Sequence, residues 1–418
     1  MTPDTFSLVF VLVLLTNVAV KLWLARRQLR HVAAHRAEVP AAFREQIGIA
    51  AHHKAADYTS TLTRFGMLTV LFDAALLLVF TLGGGIQWLH QTTSGFVAHP
   101  LLQGAALIAA VLLAQSLLEM PFDLYRTFNI EARYGFNKMT LRLYFMDALK
   151  ALLLGVVIGL PLLLAVLWLM GEMGDAWWVY VWGVWVAFNL LLLYLYPTFI
   201  APLFNQFEPL RDEAQKSRIE ALLARCGFAA SGLFVMDGSR RSAHGNAYFT
   251  GFGKTKRIVF FDTLLHRLAP AEIDAVLAHE LGHFKRHHVL QRIALTFAIS
   301  LGFLWLLAQL LHAPWFYQGL GVQAQTTSTA LLLFFLALPV FTFLLHPLAS
   351  AWSRKHEFEA DAYAAQQTDA RELVSALVKL YQDNAKTLTP DPLYATFYES
   401  HPPAPVRIAH LQQTGESK

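Results

Sequence analysis

Long apolar blocks separated by short polar connections dominate this chain. Seven of the blocks are long enough to cross a bilayer as helices, which takes about 20 residues each. They lie near residues 6–24, 66–89, 101–118, 151–170, 177–200, 293–312 and 328–349. The first reads as a span rather than a removable leader: residues 1–7 hold an acid, Asp4, and no base, and no small-residue cleavage site follows. Between blocks five and six the pattern changes to that of a mixed, water-facing segment, residues 205–292. A helix is expected from Asp212 through Cys226, and short strands at 233–236, 246–249 and 257–261. A turn is expected at Asp237-Gly238-Ser239, and the last of these strands follows Gly251-Phe252-Gly253. A helix is then expected over 270–290, with Pro270 in its first turn and Glu272 and Asp274 near its positive end. Ile273, Val276, Leu277 and Leu281 follow at helical spacing. Another helical segment covers about 353–383, and residues 412–418 read as a frayed tail.

The pattern predicts a mainly α, polytopic membrane protein with seven transmembrane helices and a small α+β region. Residues 1–202 form a five-span N-terminal region. Residues 203–413 form a second region that includes spans six and seven, and 414–418 are a tail.

Composition sharpens this. The chain is 56% hydrophobic and only 15% charged over 418 residues, which excludes a wholly soluble protein of this length. The single cysteine, Cys226, excludes an intrachain disulfide framework and a cysteine-based metal site. The net charge of +4 is small, but its distribution orients the spans. The turns at 86–100, 171–176 and 314–327 hold no Lys or Arg. Arg26, Arg27, Arg30 and Arg36 follow the first span, and Arg126, Arg133, Lys138 and Arg142 follow the third. By the positive-inside rule the N-terminus is outside and the C-terminus cytoplasmic. Trp88, Trp177, Trp178 and Trp315 fall at the expected interfaces. No basic run interleaved with aromatics points to nucleic acid. Asp73 lies inside the second span, where a carboxylate either faces a cavity or bonds to a neighbouring helix.

The chemistry concentrates in His279-Glu280-Leu281-Gly282-His283, an HExxH motif on the 270–290 helix. Residues four apart share a helix face, so the two imidazoles can converge on one Zn²⁺, with Glu280 placed as general base toward water. Zinc in such a site lowers water's pKa to about 7, and the implied reaction is amide hydrolysis. A catalytic zinc usually takes a third protein ligand. His287 stands roughly 12 Å from His279 along a straight helix, too far to share the ion. It and His288 are therefore expected at a surface or interface. Glu357 is the better candidate. Asp361, four residues on, can hydrogen-bond the outer nitrogen of a ligating histidine. Glu359 is the competitor. The hairpin of spans six and seven returns Glu357 to the membrane face where His283 lies.

These residues resemble the type I CAAX prenyl endopeptidases, integral-membrane zinc proteases of seven spans. The matching pieces are HELGH at 279–283, SRKHEFEADAYA at 353–364, GNAYFTGFGKTKRIVFFDTLL at 245–265 and SHPPAPVRI at 400–408. The resemblance implies a chamber enclosed by the spans, one zinc per chain on His279, His283 and Glu357, and Glu280 as base. It implies that Asn246 and Tyr248 of the NAYF strand meet the substrate backbone. It also implies that His401 and Arg407 sit over the reacting carbonyl or support it. Expected substrates are peptides or membrane proteins, prenylated or not, met in the lipid bilayer by a monomer. The Ala- and Leu-rich make-up with few lysines points to a bacterial cell membrane; a eukaryotic member would lie in the endoplasmic reticulum. Two other readings stand beside this one. One is a membrane quality-control protease with no lipid requirement, and the other a seven-helix transporter or scaffold with a vestigial site.

Overall fold

The computed structural model describes residues 1–228, 230–250 and 257–416. The Gly251-Phe252-Gly253 stretch before the last expected strand lies outside the described residues. Among the described residues, seven helices are long and apolar enough to cross a membrane: Pro3–Ala34, Ile49–Phe80, Pro100–Glu131, Leu141–Glu172, Gly174–Phe204, His288–Leu311 and Thr327–Gln367. Helices satisfy every backbone donor and acceptor internally, which lipid requires. Four of them have 32 residues. That is about 48 Å at 1.5 Å per residue, longer than the roughly 30 Å of hydrocarbon a bilayer presents.

The second span corrects the sequence reading. It ends at Phe80, not near Leu89, and a separate helix, Gly85–Phe96, packs back on the third span. Gly84 turns the chain with φ +78°, and a Cβ on Gly83 would stand 2.8 Å from the Val79 carbonyl oxygen. The glycine run therefore stops a helix that hydrophobicity alone would continue. Single π turns interrupt the third, fourth and fifth spans at Arg126–Glu131, Gly155–Gly159 and Tyr196–Ile200. Pro161 and Pro202 follow the last two, where a proline ring crowds the carbonyl four residues back.

The spans close into a ring. The first packs on the second and seventh, and the fourth joins the third to the fifth. The sixth packs on the fifth and seventh. Phe65 and Phe72 of the second span meet Phe122 of the third. One end of the ring is filled by a core that includes Phe10, Leu107, Val111, Tyr317 and Leu333. Towards the other end, residues 112–129, 141–159, 182–200 and 289–306 include no buried residue. Helices without a buried stripe have two uncovered faces, so the ring is plugged at one end and open-packed at the other.

At the open end sits the polar region. Its sheet comprises β1 (Phe207–Pro209), β2 (Gly232–Met236), β3 (Ala247–Thr250) and β4 (Arg257–Phe261), in the order β1-β2-β4-β3. β2 and β4 are parallel, with Gly232 opposite Arg257, and β3 runs antiparallel to β4 as an edge strand. Ile258 and Phe260, with Ile219 and Leu222 of the Glu213–Arg225 helix, share a core with Ile273, Leu277 and Leu281 of the motif helix.

That helix runs Pro270–Lys285 and is shorter than expected: His287 takes a left-handed conformation, φ 58°, and a new helix starts at His288. The segment expected as one helix over 353–383 is two, His346–Gln367 and Ala370–Asp383. Asp369 caps the second by accepting the Arg371 N–H. The last helix, Ala404–Glu416, includes residues 412–416 of the expected tail; 417 and 418 lie outside the described residues.

Candidate metal centre

Two helices make the site, and their crossing is set by a glycine. The motif helix packs along the His346–Gln367 helix. A Cβ on Gly282 would stand 2.9 Å from Ala360 Cα, closer than a side chain tolerates. The contact brings Glu357, one turn before Ala360, against His279 and His283. The start of the motif helix is fixed by Glu272, which is 2% exposed. Its carboxylate accepts from the Ala269 N–H at 2.6 Å, from Ser375 Oγ at 2.6 Å and from Lys379 Nζ at 2.7 Å. Burial opposes the charge, and these donors overcome it, holding the Glu272 carboxyl below the usual range.

One ligand atom from each of His279, His283 and Glu357 lies within 4.8 Å of the others. His279 Nε2 is 3.4 Å from Glu357 Oε2, and His283 Nε2 is 3.4 Å from Glu357 Oε1. Glu357 is 3% exposed, and its Oε2 is buried with no hydrogen-bond donor. An orphaned buried carboxylate oxygen facing two imidazole nitrogens is the donor set of a cation site. The carboxylates here favour positive charge: burial opposes charge on His279, yet its hydrogen bond to Asp361 and its contact with the Glu357 carboxylate outweigh it and push its pKa up to about 9. Burial likewise works against the Glu357 carboxylate, and the two histidines still hold it well below the usual carboxylate range. The residues fit a divalent metal.

Behind the ligands, Asp361 is fully buried. Its Oδ1 accepts from His279 Nδ1 at 2.8 Å and from Arg407 Nη2 at 2.5 Å, and its Oδ2 accepts from Arg407 Nε at 2.8 Å. Arg407 Nη1 lies 3.7 Å from Glu357 Oε2. His401 stands at the mouth, its side chain 57% exposed and its Nε2 3.4 Å from Glu357 Oε1. Ser400 Oγ meets its Nδ1 at 3.0 Å.

A cleft of about 260 Å³ opens here. Glu280, His279, Arg407, His401 and Asn246 line it beside apolar Val276, Leu373 and Leu377. The structure thus brings Glu280, His401, Arg407 and Asn246 into one cleft with His279, and His401 and Arg407 against Glu357. It does not bring Tyr248 there. Successive β-strand residues face opposite ways, so Ala247 lines the cleft while Tyr248 points to a second cavity with Tyr196 and Phe207. The expectation for His288 is also corrected. It is 1% exposed and bonded to His283 Nδ1 at 3.0 Å. Its spacing of five from His283 gave no helical signal, because the left-handed turn at His287 re-aims the chain. Asn384 and Lys386, which also line the cleft, carried no motif in the sequence.

Residues 209–415 match Peptidase family M48, and residues 28–206 match the CAAX prenyl protease N-terminal family of five membrane helices. A CAAX prenyl protease 1 homolog of Caenorhabditis elegans is 34% identical over 97% of this chain and 98% of its own. The chain belongs to the M48 peptidase family. CAAX prenyl protease 1 of Saccharomyces cerevisiae is 31% identical over 91% of this chain and 90% of its own. The crystal structure of S. mikatae Ste24p superposes with a TM-score of 0.91 at 28% identity, covering 97% of this chain and 99% of that one. As an M48 member with seven spans, the protein is a multi-pass membrane zinc metalloprotease, a hydrolase of peptide bonds.

Proposed function

We propose that this M48 protease binds one zinc per chain through His279, His283 and Glu357 and cleaves prenylated peptides or membrane-embedded proteins. The observation that carries this is the convergence of the three ligand atoms around an orphaned Glu357 oxygen, with Glu280 in the same cleft. A bound zinc ion supplies Lewis acidity that lowers the pKa of water and polarises a carbonyl. Glu280 takes the proton as the water oxygen attacks the scissile carbon, and returns it to the leaving nitrogen as the C–N bond breaks. His401 donates from Nε2 to the developing oxyanion. Arg407 holds Asp361, and Asp361 holds His279 in the tautomer that presents Nε2. Asn246, beside edge strand β3, meets the substrate backbone as an extended peptide adds to the sheet.

The division into a five-span region (1–202) and a metallopeptidase region (203–413) belongs to the same reading. So do the N-out, C-in orientation, a bacterial cell membrane and a monomer. The open-packed half of the span ring supports a chamber within the membrane where substrate waits. The names of the relatives support a prenyl substrate.

The test uses detergent-purified protein. Zinc per chain and cleavage of a farnesylated CAAX peptide beside its unmodified twin are measured for wild type and Glu280→Gln. We expect about one zinc in both proteins and a loss of activity in the variant of at least about 100-fold. Equal cleavage of both peptides would replace the prenyl reading with lipid-independent quality control. Absence of zinc after reconstitution, or full activity in the variant, would overturn the mechanism.

A further inference from the structure

The two histidines of the motif are held from behind in different ways. His279 Nδ1 meets a carboxylate directly, Asp361 Oδ1 at 2.8 Å. At the back of His283 stands a second imidazole: His283 Nδ1 meets His288 Nδ1 at 3.0 Å, and His288 Nε2 meets Glu359 Oε2 at 2.9 Å. The proton positions follow from the partners. His283 turns Nε2 towards Glu357 in the ligand triangle; with a cation held there, that nitrogen would give its lone pair and Nδ1 would carry the proton. His283 Nδ1–H donates to His288 Nδ1, which must accept. His288 therefore carries its proton on Nε2 and donates it to Glu359. In that arrangement the chain of bonds runs one way, from ligand to carboxylate.

The fold goes to some length to make this arrangement. On a continuous helix residue 288 would lie about 140° around the axis from His283. The left-handed conformation of His287, strained for a residue with a Cβ, ends the motif helix and starts the next one with His288 beneath His283. His288 is 1% exposed. Its ring plane is held by His356, stacked at 4.0 Å and 4°, and His356 rests edge-on against Trp352 at 4.5 Å. Both come from the helix that supplies Glu357.

We propose that His288, backed by Glu359, is a positioning residue that fixes the tautomer and ring orientation of His283 for metal binding, the counterpart of Asp361 behind His279. The proposal rests on the zinc site argued above. An acceptor fixed behind a ligating imidazole keeps the metal-facing nitrogen unprotonated and aimed, and losing such a partner typically weakens metal binding about 10–100-fold.

The experiment measures the zinc dissociation constant of the full-length protein in detergent by chelator competition. Thermal unfolding of the zinc-free protein is followed alongside. The variants are His288→Phe, His288→Asp and Glu359→Gln, with His279→Ala as the control for the site itself. His288→Phe keeps a flat ring and removes the acceptor; we expect about 10–100-fold weaker zinc binding, with the zinc-free melting temperature little changed. His288→Asp restores an acceptor and should recover most of the affinity, a rescue that a purely structural role would not show. Glu359→Gln, at a side chain 38% exposed, should weaken zinc by about 10-fold or less, and it carries the test if the Phe variant does not fold. Wild-type affinity in both His288→Phe and Glu359→Gln, or no recovery in His288→Asp, overturns the proposal while leaving the zinc site intact. If wild type and His279→Ala alike bind no zinc, the site reading fails and this one with it.

Discussion

Arg407 is 6% exposed and faces two carboxylates, Asp361 in a two-pronged contact and Glu357 at 3.7 Å. The sequence resemblance set it over the reacting carbonyl or in its support, and the geometry favours support. Removing it leaves buried negative charge uncompensated, which costs about 3–5 kcal/mol when one partner of a buried pair is lost. We expect Arg407→Met to lower the melting temperature of the zinc-free protein sharply, with added zinc restoring part of the loss. Equal melting of variant and wild type without zinc would contradict this. Arg407→Lys should not rescue, since an ammonium cannot reproduce the two parallel bonds to Asp361. The motif exposed His279, His283 and Glu280 in the sequence, and Glu357 followed from the need for a third ligand and the return of the chain after span seven. Nothing in the sequence ranked His288 above His287, because only the backbone turn between them decides which ring is buried.

Among the elements, the crossing of the motif helix and the Glu357 helix is the sensitive joint. Gly282→Ala inserts a methyl 2.9 Å from Ala360 Cα, where backbone cannot give way cheaply. We expect a loss of about 1–3 kcal/mol in stability and weaker zinc binding, as Glu357 is pushed from the histidines. Denaturant unfolding and chelator competition measure the two effects, and a stabilised variant would show that the helices separate freely. The start of the same helix carries a pH dependence. The folded pKa of Glu272 lies below its ordinary value of 4.5. Its contribution is therefore present above about 4.5 and lost as pH falls through the lower folded value. Lys379→Met should melt well below wild type at neutral pH, and the gap should close on acidification. A gap that widens there contradicts the sign. Helix positions and types were legible from apolar spacing, whereas the breaks at Thr81–Gly84, His287 and Thr368–Asp369 were not, since each interrupts a pattern that hydrophobicity alone continues.

Across the whole molecule, the membrane ring is tied to the metallopeptidase region through His244. Its Nδ1 meets Asn384 Oδ1 at 2.9 Å, and its Nε2 lies 3.9 Å from Glu131, whose carboxylate also accepts from Tyr58 of the second span. The nearby Glu131 carboxylate raises the His244 pKa above 6.5 against the opposing effects of burial and of Arg267. The tie is fully present below about pH 6.5 and fades as pH rises through the raised folded value. We expect the melting-temperature advantage of wild type over His244→Gln to shrink between pH 6 and 9; an advantage that grows would refute it. The open-packed half makes a second prediction. Asp73 is exposed within its span and lies within electrostatic reach of Lys21. In a Cys226→Ser background, Asp73→Cys should react with a charged thiol reagent in reconstituted vesicles. Leu71→Cys, about 200° around the helix, should not. Labelling of neither would mean the space is dry.

The amino-acid sequence by itself determined the number of spans, the small sheet, the motif helix and the three residues that meet as candidate ligands. Each is a local matter: block hydrophobicity, strand alternation, or the four-residue spacing that puts two histidines on one face. Only the tertiary structure decided what stands behind the ligands, that Tyr248 faces away from the cleft, and that the span ring is filled at one end and unfilled at the other. Those depend on residues far apart in sequence meeting across helices, as when Gly282 lets Ala360 approach or His287 turns His288 inward. Local pattern fixes which elements form, but the close approaches between them are set by packing, which no single stretch of sequence contains.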